Sequence, residues 1–405
     1  MKILHTADWH LGKHLGKQAR LAEQQKVLEE ITAIAAAEEV DAVLIAGDIF
    51  DTFNPSIEAT ALLFKTLKAL SREGACAVVA IAGNHDSPDR IQAPEVLARE
   101  CGIILFGYPY TQVQPFSLEN GLAVRRTDKG FVELTLPNSD APLRLIVTPY
   151  ANEQRLKTYL EVTNKEAPLK EVLQSHWQRL ADQYCDGAGV NMLMAHLFML
   201  KKGETLEEDL EEEKSILYVG GSQALFSEMV PAQLHYVALG HLHRHFFVDQ
   251  SPCPIAYSSS PLAYSFAEAN QQKYVLLIEA TPQQPVTCKR LPLKSGKSLQ
   301  RVTFEEVEKA IAWLEAHPDT WVELTMVSDT YLSAKDRKRL YKAHKGIVSL
   351  VPSFKEGVLP TQNAWRKIDL TKDIETLFVD FFKYKNEQQT PNKPLLEVFK
   401  EVINQ

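Results

Sequence analysis

Cysteine is scarce in this chain of 405 residues, with five in all, Cys76, Cys101, Cys185, Cys253 and Cys288. The number is odd, the spacings are wide and no Cys-x-x-Cys pair occurs, which argues against a disulfide frame or a thiolate zinc site and for reduced thiols. Long apolar runs are missing too. No stretch approaches the ~20 residues that span a bilayer, and the apolar run in Met-Lys-Ile-Leu-His-Thr-Ala-Asp is too short for the core of a secretion signal. The expectation is a cytoplasmic protein without membrane contact. Positive charge is in deficit: 44 Lys and Arg stand against 52 Asp and Glu, a net −8, so a generally basic nucleic-acid binder is disfavoured and any phosphate contact must be local. Internal repeats and long low-complexity tracts are absent. The hydrophobic content of 45% is ordinary for a globular chain, and the length allows a large core with one or two smaller units.

What the chain does have is one pattern used five times, a short apolar run followed at once by a polar cluster. Lys2 to Thr6 leads into Ala7-Asp8-Trp9-His10, and Ala42 to Ile45 into Gly47-Asp48 and then Asp51. Ala77 to Ala82 leads into Gly83-Asn84-His85-Asp86-Ser87-Pro88, Asn191 to Ala195 into His196, and Tyr236 to Leu239 into Gly240-His241-Leu242-His243. Short apolar runs bounded by turn residues read as buried strands. Residues at helical spacing lie between the first three, Leu21, Val27, Leu28 and Ile31, then Leu62, Leu63, Leu67 and Leu70. The βαβαβ order predicts a parallel sheet, and in open α/β sheets the carboxyl ends of the strands converge on one crevice. The five clusters are therefore expected to meet, with Asp48 among them. Asp8 and His10, like His241 and His243, are two apart, so still-extended backbone would aim each pair the same way. Ser87 and Pro88 read as the cap and first residue of a helix.

Further along, residues 106–142 are turn-rich and suggest hairpin strands, and Leu169, Val172, Leu173, Trp177, Leu180 and Tyr184 mark an amphipathic helix. Glu204 to Glu213 is the most acidic stretch. A composition change at Thr281 to Pro285 suggests a boundary, giving a core over 1–281, a small α+β unit over 282–352, a linker over 353–371 and a helical segment over 372–405. In the small unit Val286 to Leu291 reads as a strand, Thr303-Phe304-Glu305-Glu306 as a capping box and Ser333 as a helix start. That last helix carries Lys335, Arg337, Lys338, Arg339 and Lys342, ordinarily a solvated face and here also a candidate DNA contact. Two apolar stripes follow the linker, Leu377, Phe378, Phe381 and Phe382, then Leu395 and Phe399. Having little of their own to bury against, they are expected to dock on a partner helix.

Asp8, His10, Asp48, Asn84, His196, His241 and His243 are oxygen and nitrogen donors, enough for two divalent ions if one carboxylate bridges. Mn²⁺ suits such a set best, with Fe²⁺ or Mg²⁺ as competitors. Two ions can activate a water and clamp a phosphoryl centre, so phosphate-ester hydrolysis is the expected reaction class. His85, in excess of the set, is the candidate proton donor to the leaving oxygen, with Asp51 as the residue that orients it. His14, His176, His235, His245, His317 and His344 complete no motif and are read as structural.

The ordered series Asp8-x-His10, Gly47-Asp48-x-x-Asp51, Gly83-Asn84-His85-Asp86, His196 and Gly240-His241-x-His243 resembles the motifs of the calcineurin-like metallophosphoesterases. Within that superfamily, His5-Thr6-Ala7-Asp8-Trp9-His10-Leu11-Gly12, Tyr257-Ser258-Ser259-Ser260-Pro261 and the Phe-rich tail are similar to the SbcD family of nuclease subunits, over essentially the whole chain. The resemblance implies an α/β fold, a layered sheet-and-helix core with a small capping domain over 282–352 and C-terminal helices. It implies one metal held by Asp8, His10, Asp48 and His243, a second by Asp48, Asn84, His196 and His241, and His85 as the catalytic histidine. The implied activity is Mn²⁺-dependent cutting of DNA, as a 3′ to 5′ exonuclease on duplex ends and an endonuclease on single strands and hairpins, in repair, recombination and replication. The implied partners are DNA, a second copy of the chain, and an SbcC-type ATPase whose coiled coil receives residues 372–405. Two departures stand out: Ser259 occupies a position where the family often has glycine, and the acidic stretch is long. The alternative is an enzyme of the same superfamily acting on small nucleotide phosphodiesters, which needs neither the capping unit nor the tail. A non-catalytic end-binding scaffold would show a broken ligand set, and no ligand is missing.

Overall fold

The computed structural model describes residues 1–150, 169–203, 225–329, 332–354, 374–385, 391, 395–396 and 399. The acidic stretch 204–213 and nearly all of the expected linker lie outside them. The N-terminal third alternates as read from its periodicity: β1 (Lys2–Thr6), α1 (Leu21–Ala37), β2 (Ala42–Ile45), α2 (Ile57–Ser71), β3 (Ala77–Ile81), the short helices α3 (Pro88–Gln92) and α4 (Glu95–Arg99), and β4 (Ile103–Phe106). Then come β5 (Phe116–Ser117), β6 (Ala123–Asp128), β7 (Phe131–Thr135), β8 (Leu143–Thr148), α5 (Leu169–Tyr184), β9 (Val190–His196), β10 (Tyr236–Gly240), β11 (Phe246–Asp249), β12 (Ile255–Tyr257), β13 (Tyr274–Glu279) and β14 (Thr287–Pro292).

These strands form two sheets. The first has the order β14-β13-β1-β2-β3-β4 and the second β11-β12-β10-β9-β8-β7-β6-β5. β1 to β4 are mutually parallel, as are β8, β9, β10 and β12, while hairpins close the edges. Because both faces of each parallel strand are covered, each reads as a continuous apolar run and not as an alternation. Ile3, Leu44 and Val79 of the first sheet pack with Leu145, Met192 and Ala238 of the second in the inner core. On the outer face of the first sheet, Val43 and Val78 meet Val27, Leu28 and Ile31 of α1 and Leu63 and Leu67 of α2. On the outer face of the second, Ile146 and Leu193 meet Leu173, Trp177 and Leu180 of α5. The result is a helix-sheet-sheet-helix sandwich, and burying each such side chain contributes about 1.5–3 kcal/mol.

A third sheet of three parallel strands, β15 (Ser298–Phe304), β16 (Thr320–Ser328) and β17 (Ile347–Phe354), carries α6 (Val307–Ala316) and α7 (Ala334–Ala343). Ala310, Leu314, Val322, Leu324, Met326, Leu340 and Ile347 give it a separate apolar core. It rests on the first layer through Leu15, Leu299 and Trp321, whose indole Nε1 donates to Glu23 at 2.8 Å. The strand expected just past residue 282 belongs elsewhere. It is β14, which pairs antiparallel with β13 from Tyr274↔Pro292 to Glu279↔Thr287, so the boundary at 281/282 cuts a hairpin of the first sheet. Its alternating sequence gave no sign of which sheet it would join. The expected capping box is also absent: Thr303 and Phe304 remain in β15, and Glu306 caps α6 without a side-chain bond. Ser87 likewise makes no capping bond, whereas Ser333 accepts from Asp336 N at 3.1 Å. The last described helix, α8 (Ile374–Lys385), belongs to the tail, where the Phe378 and Phe399 rings stack at 3.9 Å. No described helix is long and apolar enough to cross a membrane.

Candidate metal centre

The ends of β1, β2, β3, β9 and β10 do converge. The loops after β1 and β2 run side by side, with Asp8 N, His10 N and Leu11 N donating to the carbonyls of Gly47, Asp48 and Ile49, each at 2.9 Å. Asp8, His10, Asp48 and His241 have φ of 55, 44, 48 and 107°. Of the two pairs, Asp8, His10 and His241 therefore aim inward from left-handed backbone and not from an extended continuation of the strand, a conformation whose cost of about 1–3 kcal/mol each is tolerated only where surroundings over-determine it. Glycines make room: a Cβ on Gly83 would sit 2.1 Å from Asp48 Oδ1, and one on Gly240 1.8 Å from Ala46 O. Ser259 too is left-handed, φ 84°, and its hydroxyl, 3.0 Å from Tyr274 N, accepts that bond and steadies a turn that glycine would make without strain.

Asp48 lies between two groups. Its Oδ2 is 3.5 Å from His10 Nε2 and 3.4 Å from His196 Nε2, while Oδ1 accepts from His85 N at 2.9 Å. On one side His10 Nε2 and His243 Nε2 are 3.0 Å apart, and Asp8 joins them in a group with ligand atoms within 4.8 Å of one another. On the other, Asn84 Oδ1 is 2.9 Å from His196 Nε2 and 3.0 Å from His241 Nδ1. All seven residues expected as ligands thus border one centre.

The donor chemistry fits divalent cations. His196 Nδ1 donates to the Ala46 carbonyl at 2.8 Å, which leaves the Nε2 lone pair facing the oxygens of Asp48 and Asn84. His243 Nδ1 is bonded to Glu268 at 3.2 Å, so its Nε2 lone pair faces His10. Lone pairs aimed at one another need a proton or a metal between them. Burial lowers the His196 pKa, but the Asp48 carboxylate outweighs it and raises it to about 9. Burial pushes Asp48 up, and His196, His10 and His85 together hold it well below the usual carboxylate range. Burial raises Asp8 to about 7 and lowers His10 to about 4 and His241 to about 3, which favours neutral imidazoles ready to ligate.

His85 contacts Asp51 through that residue's backbone: Nδ1 donates to the Asp51 carbonyl at 2.9 Å. The Asp51 carboxylate is engaged by Lys13 at 2.6 Å and lies 3.6 Å from His10 Nδ1, so the side chain serves the loop and His10 while the main chain orients His85. Two supporting residues escaped the sequence reading. Asp86 is buried and accepts from Gly83 N, Ile49 N and Phe50 N at 2.8, 3.0 and 2.8 Å, tying the β2 and β3 loops together. Its signal was its place in Gly83-Asn84-His85-Asp86. Glu268 bonds His243 Nδ1 and Lys273 Nζ, the latter at 2.6 Å, and no local pattern marked it. The basic side chains of α7 stand apart from this centre in the small unit. Arg339 is paired with Glu308 at 2.7 Å, and Lys335, Arg337, Lys338 and Lys342 are exposed. In the tail, Phe381 and Leu395 are exposed while Leu377, Phe378, Phe382 and Phe399 are half-buried.

Residues 1–245 match the calcineurin-like phosphoesterase family. SbcD of the nuclease SbcCD from Bacillus subtilis (strain 168) is 34% identical over 409 residues, covering 100% of this chain and 98% of that protein. Proteins of the same name from Rhodobacter capsulatus and Staphylococcus epidermidis are 31% identical over 320 residues and 27% identical over 401 residues. They cover 75% and 96% of this chain and 74% and 94% of their own length.

Proposed function

The chain belongs to the calcineurin-like phosphoesterases and, within them, to the SbcD family of nuclease subunits, and from that membership we propose that it is the DNA-cutting subunit of a complex with an SbcC-type ATPase. The observation that carries the reading is Asp48 Oδ2, set between His10 Nε2 and His196 Nε2 with the other donors on either side. Asp8, His10, Asp48 and His243 would hold one ion, and Asp48, Asn84, His196 and His241 the other. Mn²⁺ suits the mixed oxygen and imidazole set. When bound, such a pair activates a water and clamps the oxygens of a phosphodiester during in-line displacement.

The chain's own contribution is positional. His85 Nδ1 carries the proton donated to the Asp51 carbonyl, so Nε2 is the nitrogen that faces the leaving oxygen, and the doubly protonated imidazolium gives that oxygen its Nε2 proton and returns to the neutral Nδ1–H ring. Asp8 accepts from His241 N at 3.0 Å, which locks the first and last clusters together. Residues 298–354 form the capping domain, and exposed Lys335, Arg337, Lys338 and Lys342 on α7 make local contacts to DNA phosphate. Phe381 and Leu395 present the apolar surface that docks on the ATPase. Exposed Ile57 on α2 (84%) and Leu97 on α4 (77%) support a homodimer through these helices. The reading places the protein in the cytoplasm, in repair, recombination and replication of DNA, and the tail and capping unit have no use in an enzyme for small nucleotide phosphodiesters.

The test is metal-dependent cleavage of a DNA hairpin beside hydrolysis of a small chromogenic phosphodiester. The wild type should cut the hairpin with Mn²⁺, and Asp48→Ala should lose both cutting and metal binding. Turnover of the small ester without cutting of any DNA, with or without the ATPase, overturns the nuclease reading.

A further inference from the structure

A polar concavity opens on the backbone that follows His243. Its volume is about 660 Å³, it is lined by Arg244, His245, Gln271, Tyr274, Arg290 and Arg301 among others, and no carboxylate of the described residues lines it. In a chain of net charge −8, three guanidinium groups around one concavity are a local reversal of sign. They come from separate parts of the fold, the loop after β10, strand β14 and strand β15.

Arg244 and Arg290 have no carboxylate partner among the described residues, and Arg290 is held instead over the Tyr274 ring, 5.9 Å from its centroid. Arg301 is anchored by Glu323 at 2.9 Å. Gln271 adds a buried Oε1 with no hydrogen-bond partner among the described residues, an acceptor left open at the rim of a cationic pocket. A buried acceptor left without a donor is unfavourable until one arrives.

The pocket shares a wall with the centre. Arg244 follows His243, and Lys273 Nζ donates to the His243 carbonyl at 2.8 Å and to Glu268 at 2.6 Å, which fixes the backbone between the two. We propose that this pocket binds one nucleotide of the nucleic-acid strand being cut, its phosphate held by Arg244 and Arg290 and a base N–H donated to Gln271 Oε1. The proposal rests on the phosphodiesterase reading and gives it a strand-holding subsite beyond the metal ligands. The volume exceeds that of a free phosphate, and the mixture of cationic donors with an open neutral acceptor matches a nucleotide.

The test is fluorescence anisotropy of a single-stranded oligonucleotide with the full-length protein, Ca²⁺ replacing the catalytic ion, across a salt series. For Arg244→Ala/Arg290→Ala the Kd should rise on the order of tenfold, and the slope of log K against log salt should fall by about 0.7 for the lost phosphate contact. Arg244→Lys/Arg290→Lys should recover the slope, and Arg179→Ala on α5 should match wild type. Unchanged Kd and slope in the alanine variant overturn the pocket, as does weaker binding with the slope intact, because that is not loss of a phosphate contact. If wild type cuts no DNA at all, the nuclease reading falls. If wild type cuts and the alanine variant binds normally, only the pocket does.

Discussion

The crevice and the three-stranded unit at 298–354 are made from the same strand-and-helix elements under opposite demands. In the crevice Asp8, His10, Asp48 and His241 hold left-handed backbone, and Asp86 accepts from three buried amides. In the smaller unit no described residue other than glycine has left-handed φ, and what holds it is Leu314, Val322, Leu324, Met326 and Leu340 packed on one another. Strain gathers where donors must face one another, and it survives there because each loop is tied to another loop. The unit with no such donors needs only volume and periodicity, so its residues are exchangeable for others of similar size.

Substitutions can break this contrast, and the largest effect belongs to the crevice. His85→Ala should lower kcat on the order of 10²- to 10⁴-fold while two Mn²⁺ still bind in a calorimetric titration. Loss of metal along with activity would make His85 a ligand and not the proton donor. Glu268→Gln comes next, with activity or metal affinity expected to fall about 10- to 100-fold because His243 loses the carboxylate that orients it. A lower Tm with unaltered metal Kd would reduce Glu268 to a structural role. The smallest effect on chemistry is expected from Leu324→Ala in the separate core, which should destabilise that unit by about 2–5 kcal/mol and leave hydrolysis of a small phosphodiester unchanged. Equal loss of small-ester turnover would show that the two regions are not independent.

The sequence carried more of the crevice than of its surroundings. Asp48, Asn84, His85, His196, His241 and His243 each closely follow an apolar run, and since parallel strands of one sheet end on one side, Asp48 could be read as meeting Asn84 and His85, and His196 as meeting His241 and His243, but the expected single sheet is two, and only their packing brings the two sets together. The helices α1, α2 and α5 were equally legible, because their buried faces repeat at helical spacing. The support was not. Glu268 reaches His243 across 25 positions, and Asp51 serves His85 through a carbonyl that every residue possesses. β14 looked like the start of a new unit because a strand's alternation does not say which sheet it will join.

By itself, then, the sequence determined the donors, their order along the chain and the strands that deliver them, since residue type and period are local properties. Only the tertiary structure decided that Asp48 Oδ2 sits at 3.5 and 3.4 Å from the His10 and His196 imidazoles, that Asp8, His10, Asp48 and His241 stand on left-handed backbone, and that Arg244, Arg290 and Arg301 line one pocket. Those facts depend on the packing of segments far apart in the chain, for which no short-range pattern can stand in.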